Sequence, residues 1–145
     1  NRIPAGKLKN GGTSAAVLSE LVKRLIEHLG QWCIEKVILS KQPDFIEKNQ
    51  IILDADKVGN IVLRYWKAGD RFSPRGINGS KKLARVMRDL HISAGERRIW
   101  PLVADENHIY WIAFLRGSNY GLPDKNTKKY LLITLKKENR EDEES

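Results

Sequence analysis

This sequence predicts an α+β fold: a strand-rich, sandwich-like domain with an amphipathic helix in front of it and a basic helix near residues 81–90. Three observations predict it. Apolar and β-branched runs recur at short spacing after Trp32, namely Trp32–Leu39, Gln50–Leu53, Asn60–Trp66, Leu102–Ala104, Ile109–Leu115 and Tyr130–Leu135. Turn-forming residues separate several of them, as at Gly59-Asn60, Gly69-Asp70 and Asp105–His108, the last reading as a hairpin. Helical spacing is concentrated in residues 13–31 and 81–90.

In chain order, residues 1–12 read as a linker, with Pro4, Gly6, Gly11 and Gly12 among scattered lysines. Thr13 or Ser14 can cap a helix, because a hydroxyl satisfies the free amides of a first turn. Val17, Leu21, Leu25 and Leu29 repeat every four residues, flanked by Leu18, Val22 and Ile26, and Gly30 ends the pattern. This wide apolar face needs a partner, either within the chain or outside it. Residues 32–137 form the strand-rich domain. In its basic helix, Leu83, Val86, Met87 and Leu90 fall on one face, with Lys81, Arg85 and Arg88 on another. Ser93 is placed to cap a further short turn through Arg98, with Glu96 at the capping-box position. Residues 138–145 are polar and mostly acidic and read as a disordered tail.

Charge narrows the function. The chain carries a net +8, and the stretch from Arg64 to Trp100 supplies most of it, with ten cations against three anions. Such a density suits a polyanion such as nucleic acid; the competing reading is a basic surface kept for solubility. The candidate contacts are Arg71, Arg75, Lys81, Lys82, Arg85, Arg88, Arg97, Arg98 and Arg116. Trp66, Trp100 and Trp111 lie in such apolar surroundings that they read as core rather than as platforms for bases, which favours a double-stranded partner. In the loop from Gly69 to Gly76, Asp70 can orient a neighbouring arginine or bond backbone amides in a turn.

Catalytic constellations are poor. His28, His91 and His108 have no metal spacing, and Asp54 with Asp56 reads as a turn ending a strand. Gly11-Gly12-Thr13-Ser14 lacks the preceding strand and the lysine of a phosphate loop. Cys33 is the only cysteine, which excludes an internal disulfide and a Cys-rich zinc site and fits a reducing, cytoplasmic compartment. No apolar run approaches a membrane span, and no membrane partner is expected. Beginning at Asn1 rather than Met, the sequence is expected to be a piece of a longer one.

Several pieces taken together resemble the C-terminal region of bacterial tRNA(Ile)-lysidine synthetases. They are Leu53-Asp54-Ala55-Asp56-Lys57, Leu63-Arg64, Gly69-Asp70-Arg71-Phe72-Ser73-Pro74, Gly79-Ser80-Lys81-Lys82-Leu83, Glu96-Arg97, Pro101-Leu102-Val103 and Ile109-Tyr110-Trp111. The close resemblance covers residues 52–117. It departs at Val86-Met87, where the family often has an aromatic pair, and at Ser93, where a proline is usual. The resemblance implies a fold shared with a domain of phenylalanyl-tRNA synthetase. It also implies a role in docking tRNA(Ile) by its acceptor stem, with no ligase activity in this piece. The full-length enzyme would use ATP, with Mg, and lysine to convert the wobble cytidine to lysidine in a separate N-terminal catalytic domain, itself an expected partner. This piece would carry no cofactor. The alternative is a structural module, serving homodimerisation or clamping the catalytic domain, with a nonspecific basic surface.

Overall fold

Residues 2–4 and 32–137 are described by the structure, a computed structural model. The helix expected over residues 13–31 and the tail over 138–145 lie outside the described residues. Arg2–Pro4, read above as part of the linker, forms strand β1. Next come β2 (Trp32–Leu39), β3 (Phe45–Glu47), β4 (Gln50–Asp54) and β5 (Val62–Arg64), then β6 (Arg71–Phe72) and β7 (Lys81–Lys82). Helices α1 (Leu83–Asp89) and α2 (Ala94–Arg97) follow, then β8 (Leu102–Ala104), β9 (Ile109–Ile112), β10 (Arg116–Gly117) and β11 (Tyr130–Lys137).

Two antiparallel sheets form the frame. One runs β2-β11-β4 with the last strand in the centre, and the other runs β10-β9-β8-β5. Strands β6 and β7 make a two-stranded ribbon, and β1 pairs with β3. Alternation along β11 aims Leu131, Ile133 and Leu135 inward, where they pack with Ile51, Leu53, Val103 and Trp111 between the two sheets. A second cluster lies on the opposite side of the four-stranded sheet. There Leu102, Ile109 and Ile112 meet Phe72, Trp100 and the α1 stripe of Leu83, Val86 and Met87.

Strand β9 serves both clusters because its register slips. Val103 pairs with Trp111 and Ala104 with Ile109, leaving Tyr110 as the extra residue of a bulge. Because side chains alternate along a strand, that insertion turns Ile109 to the face of Ile112, so all four residues of β9 are buried. Trp100 and Trp111 are core, as expected, and Trp66 is half-buried against the helix-side cluster. Trp100 donates its Nε1–H to the Ala113 carbonyl at 3.1 Å. In chain order and character the observed elements are the expected α+β, strand-rich set.

Some boundaries differ. The basic helix starts at Leu83, because Lys81 and Lys82 pair with Phe72 and Arg71 in the ribbon. The Leu83 amide then donates to the Asp70 carbonyl at 2.8 Å, so the ribbon supplies the cap that the Lys82 side chain does not. The turn expected at Gly59-Asn60 instead occupies residues 55–57. Asp54 Oδ1 accepts the Asp56 amide there at 2.9 Å, which accounts for that acidic pair as a turn. Strand β9 stops at Ile112, where Phe114 takes a left-handed φ of 69° and the Leu115 amide returns to the Ile112 carbonyl. Ser93 and Glu96 form the expected capping box.

Asp105, 8% exposed, ties the hairpin together. Its Oδ1 accepts the amides of Asn107 and His108, and its Oδ2 accepts the Gly59 amide and the Tyr110 hydroxyl, the last at 2.6 Å. Burial works to raise this carboxyl, but the Tyr110 hydroxyl and the three amides outweigh it and bring it down to about 2. A depressed carboxyl stabilises the fold above its ordinary value and ceases to as pH falls through the folded value. Asp105→Asn is therefore expected to lose roughly 2 kcal/mol at neutral pH, by the linkage between pKa and stability. In urea denaturation, the gap from the parent should close between about pH 4 and pH 2; a gap constant over that range would contradict it.

Candidate nucleic-acid interface

The basic surface grows from the β6–β7 ribbon. Antiparallel pairing sets Arg71 directly across from Lys82, so two cations stand side by side at exposed positions. Ser80 fixes the first of them. Arg71 donates its Nε–H to Ser80 Oγ at 2.9 Å and an Nη2–H to the Ser80 carbonyl at 3.0 Å. The guanidinium is thereby oriented with donors to spare, since arginine carries five. Asp70 orients neither Arg71 nor Arg75. It takes Arg64 in a two-pronged pair, at 2.9 and 3.1 Å, and accepts the Lys67 amide at 2.8 Å, closing the turn at Gly69. Burial alone would raise the Asp70 carboxyl; Arg64 and the Lys67 amide hold it below its ordinary value.

The loop from Ser73 to Ser80 is stapled by Asn119. Its Oδ1 accepts the Gly76 amide at 2.9 Å, and its Nδ2 donates to the carbonyls of Pro74 and Ile77 at 2.9 and 2.8 Å. Arg75 then lies along the end of β10, with its amide on the Gly117 carbonyl and its Nε–H 3.4 Å from the Ser118 carbonyl. A Cβ at position 117 would stand 2.6 Å from Arg75 Nη2, so any larger residue there would displace the guanidinium. Arg116 donates to the Arg75 carbonyl at 3.0 Å. Burial, and then the charge of Arg116, lower Arg75, and burial lowers Arg116. A second pair of like charges is thus held half-buried at β10.

The remaining candidates divide. Arg85 and Arg88 are exposed on α1, three residues apart, and Arg98 is exposed just past α2. Lys81 is exposed but lies in β7, so it does not continue a helical line with Arg85 and Arg88. Arg97 is half-buried and donates to the Ala84 carbonyl at 3.3 Å, which braces α2 against α1. Among the described residues, Arg71, Lys81, Lys82, Arg85, Arg88 and Arg98 have no carboxylate partner. Sequence reasoning overlooked Ser80 and Asn119, which position the cations without carrying charge. The one available signal was Asn119 between Ser118 and Tyr120-Gly121, a turn-forming context. His91 is exposed at the end of α1, and His108 packs on Tyr120. No group of three or more His, Cys, Asp or Glu is arranged to hold a metal ion among the described residues. No helix among them is long and apolar enough to cross a membrane.

With this geometry in place, comparison with known proteins is informative. A family model described as "TilS substrate C-terminal domain" matches residues 61–133. A tRNA(Ile)-lysidine synthase from Caldanaerobacter subterraneus subsp. tengcongensis is 40% identical over 115 residues, covering 78% of this chain and 25% of that protein. One from Clostridium acetobutylicum is 40% identical over 92 residues, covering 63% and 20%. The chain therefore spans about a quarter of the length of such relatives. Among solved structures, a TilS C-terminal domain superposes with a TM-score of 0.63 at 24% identity, over 74% of this chain and 85% of that one. An N-terminal fragment of the phenylalanyl-tRNA synthetase β-subunit from Pyrococcus horikoshii gives 0.50 at 14% identity, over 90% and 38%. At those identities the two structures bear on the fold, which is the strand-rich one expected.

The staple yields a direct test. Asn119→Ala removes three hydrogen bonds to the loop. Each contributes roughly 1 kcal/mol, so the Gly76 amide should exchange with solvent at least tenfold faster. Unchanged exchange at that amide would show that the loop is held by other contacts.

Proposed function

Because the chain belongs to the family of TilS substrate C-terminal domains, whose model matches half of it, we propose that it is the tRNA-docking domain of a tRNA(Ile)-lysidine synthetase. On this reading it grips the acceptor stem of tRNA(Ile) so that the wobble cytidine reaches the catalytic part of the full-length enzyme. That part would use ATP, with Mg, and lysine to form lysidine in the cytoplasm; the present chain would bind and orient.

The observation that carries the proposal is the exposed pair of Arg71 and Lys82, set face to face across the ribbon with no carboxylate beside either among the described residues. Like charges opposite one another destabilise a strand pair, and a polyanion removes that cost. Ser80 and Asn119 support it further, because a rigid mount lets a cation meet a phosphate without losing side-chain entropy. Arg75 and Arg116 add a second, half-buried pair of cations. Duplex RNA is bound mainly through phosphates, 2′-hydroxyls and groove shape, which is what such a surface offers.

Fluorescence anisotropy against a salt series tests the reading, with an acceptor-stem minihelix and an anticodon stem-loop as probes. If four to six cations neutralise phosphates, log affinity for the minihelix should fall with log salt at a slope of roughly −3 to −5. Arg71→Gln and Lys82→Gln should each reduce that slope by about one. Equal, weak binding to both RNAs would favour the structural module instead. Lysidine formation by the isolated chain, supplied with ATP and lysine, would refute the division of labour.

A further inference from the structure

Beside the ribbon, and separate from the Arg75–Arg116 pair, lies an open cleft of about 390 Å³. One wall is cationic, with Lys67 and Arg71; Arg64 lines it too but is held by Asp70. The other wall is the β8–β9 hairpin, with Glu106, Asn107 and His108. Tyr120 lines the cleft as well. His108 and Tyr120 are stacked, ring centroids 3.7 Å apart and planes within 14°, and Tyr120 is 40% exposed. A polar cleft of this size with an exposed aromatic stack at one side and cations at another matches the two ends of a nucleotide. The base extends an aromatic stack, and the phosphate meets the cations.

We propose that this cleft holds a single unpaired nucleotide of the bound RNA, its base stacked on Tyr120 and its phosphate against Lys67 and Arg71. The inference rests on the RNA-docking reading above and adds to it a contact that duplex geometry alone does not make. The carboxylates decide how much nucleic acid enters. Asp105 directs both oxygens to its own hydrogen bonds, and Asp70 is taken by Arg64. Glu106 is left as the exposed anion of the hairpin wall, folded over Gly59. Its charge opposes a second phosphate on that side. One nucleotide therefore enters, with its phosphate on the ribbon side. Arg71 has a double use here, since Ser80 holds two of its N–H groups and the others remain for phosphate.

The test compares two minihelices with the same stem, one carrying unpaired 3′ nucleotides and one blunt, by anisotropy with the full chain. The parent should bind the overhanging RNA about tenfold more tightly, the usual scale of one base stacked on an aromatic ring. Tyr120→Ala should lose that preference while keeping the affinity for the blunt stem and its salt slope, which also shows that the variant is folded. Tyr120→Phe should retain the preference. Equal affinity of the parent for both RNAs would overturn the cleft assignment and leave docking intact, as would a preference that survives in Tyr120→Ala. Loss of salt-dependent binding to both RNAs in the parent would overturn docking and cleft together.

Discussion

The Asp105 carboxylate is the constraint on which the arrangement turns. Its hydrogen bonds close the β8–β9 hairpin and anchor Tyr110, the residue that makes β9 bulge. Without the bulge, strict alternation would put Ile109 on the face of Trp111, and the helix-side cluster would lose it. That cluster is also where Phe72 and Leu83 pack, the two residues that seat the β6–β7 ribbon and α1 on the sheet. The cations of the ribbon are thus positioned by a buried anion in another part of the chain. A buried carboxylate is tolerated because every bond it can make is made.

The fold was legible in the sequence wherever a periodic pattern had a single explanation. Trp32–Leu39, rich in apolar and β-branched residues, is a strand over its full length, and Ser93 with Glu96 declares its cap by spacing. The misplaced boundaries share a cause, which is that local propensity lost to a tertiary contact. Lys81 and Lys82 fit a helical face, yet pairing with Phe72 and Arg71 across a nine-residue separation or more draws them into a strand. Phe114 continues an apolar run, yet it turns the chain left-handed to pack against Trp32 and Trp111. Such choices are made by partners distant in sequence, and no window around the residue contains them.

The basic surface was legible as composition and only partly as geometry. Counting charges locates the stretch where cations cluster, whatever the fold. It could not divide them by task. Arg97 braces two helices and Arg64 closes a turn with Asp70, whereas Arg71 and Lys82 stand open to solvent. What separates these roles is a set of neutral residues, Ser80, Gly117 and Asn119, each of which matters through a distance of about 3 Å rather than through charge. Their side chains are small or uncharged and carry no periodic signature. The same holds for the His108–Tyr120 stack, which joins a hairpin to a turn from opposite ends of β9 and β10.

The central place of β11 in its sheet has a consequence for how the chain comes to be folded. It lies between β2 and β4, with Lys137 opposite Trp32 and Ile133 between Lys36 and Ile51. Neither neighbour pairs with the other, so until β11 arrives the strands that flank it have no sheet to belong to. On a ribosome, which releases the chain from its N-terminal end, the layer facing Val103 and Trp111 stays open until the last strand has emerged. The four-stranded sheet and α1, built from contacts nearer in sequence, can assemble first. The domain is therefore finished from its far end, and its apolar interior is exposed longest along the surface that β11 will cover.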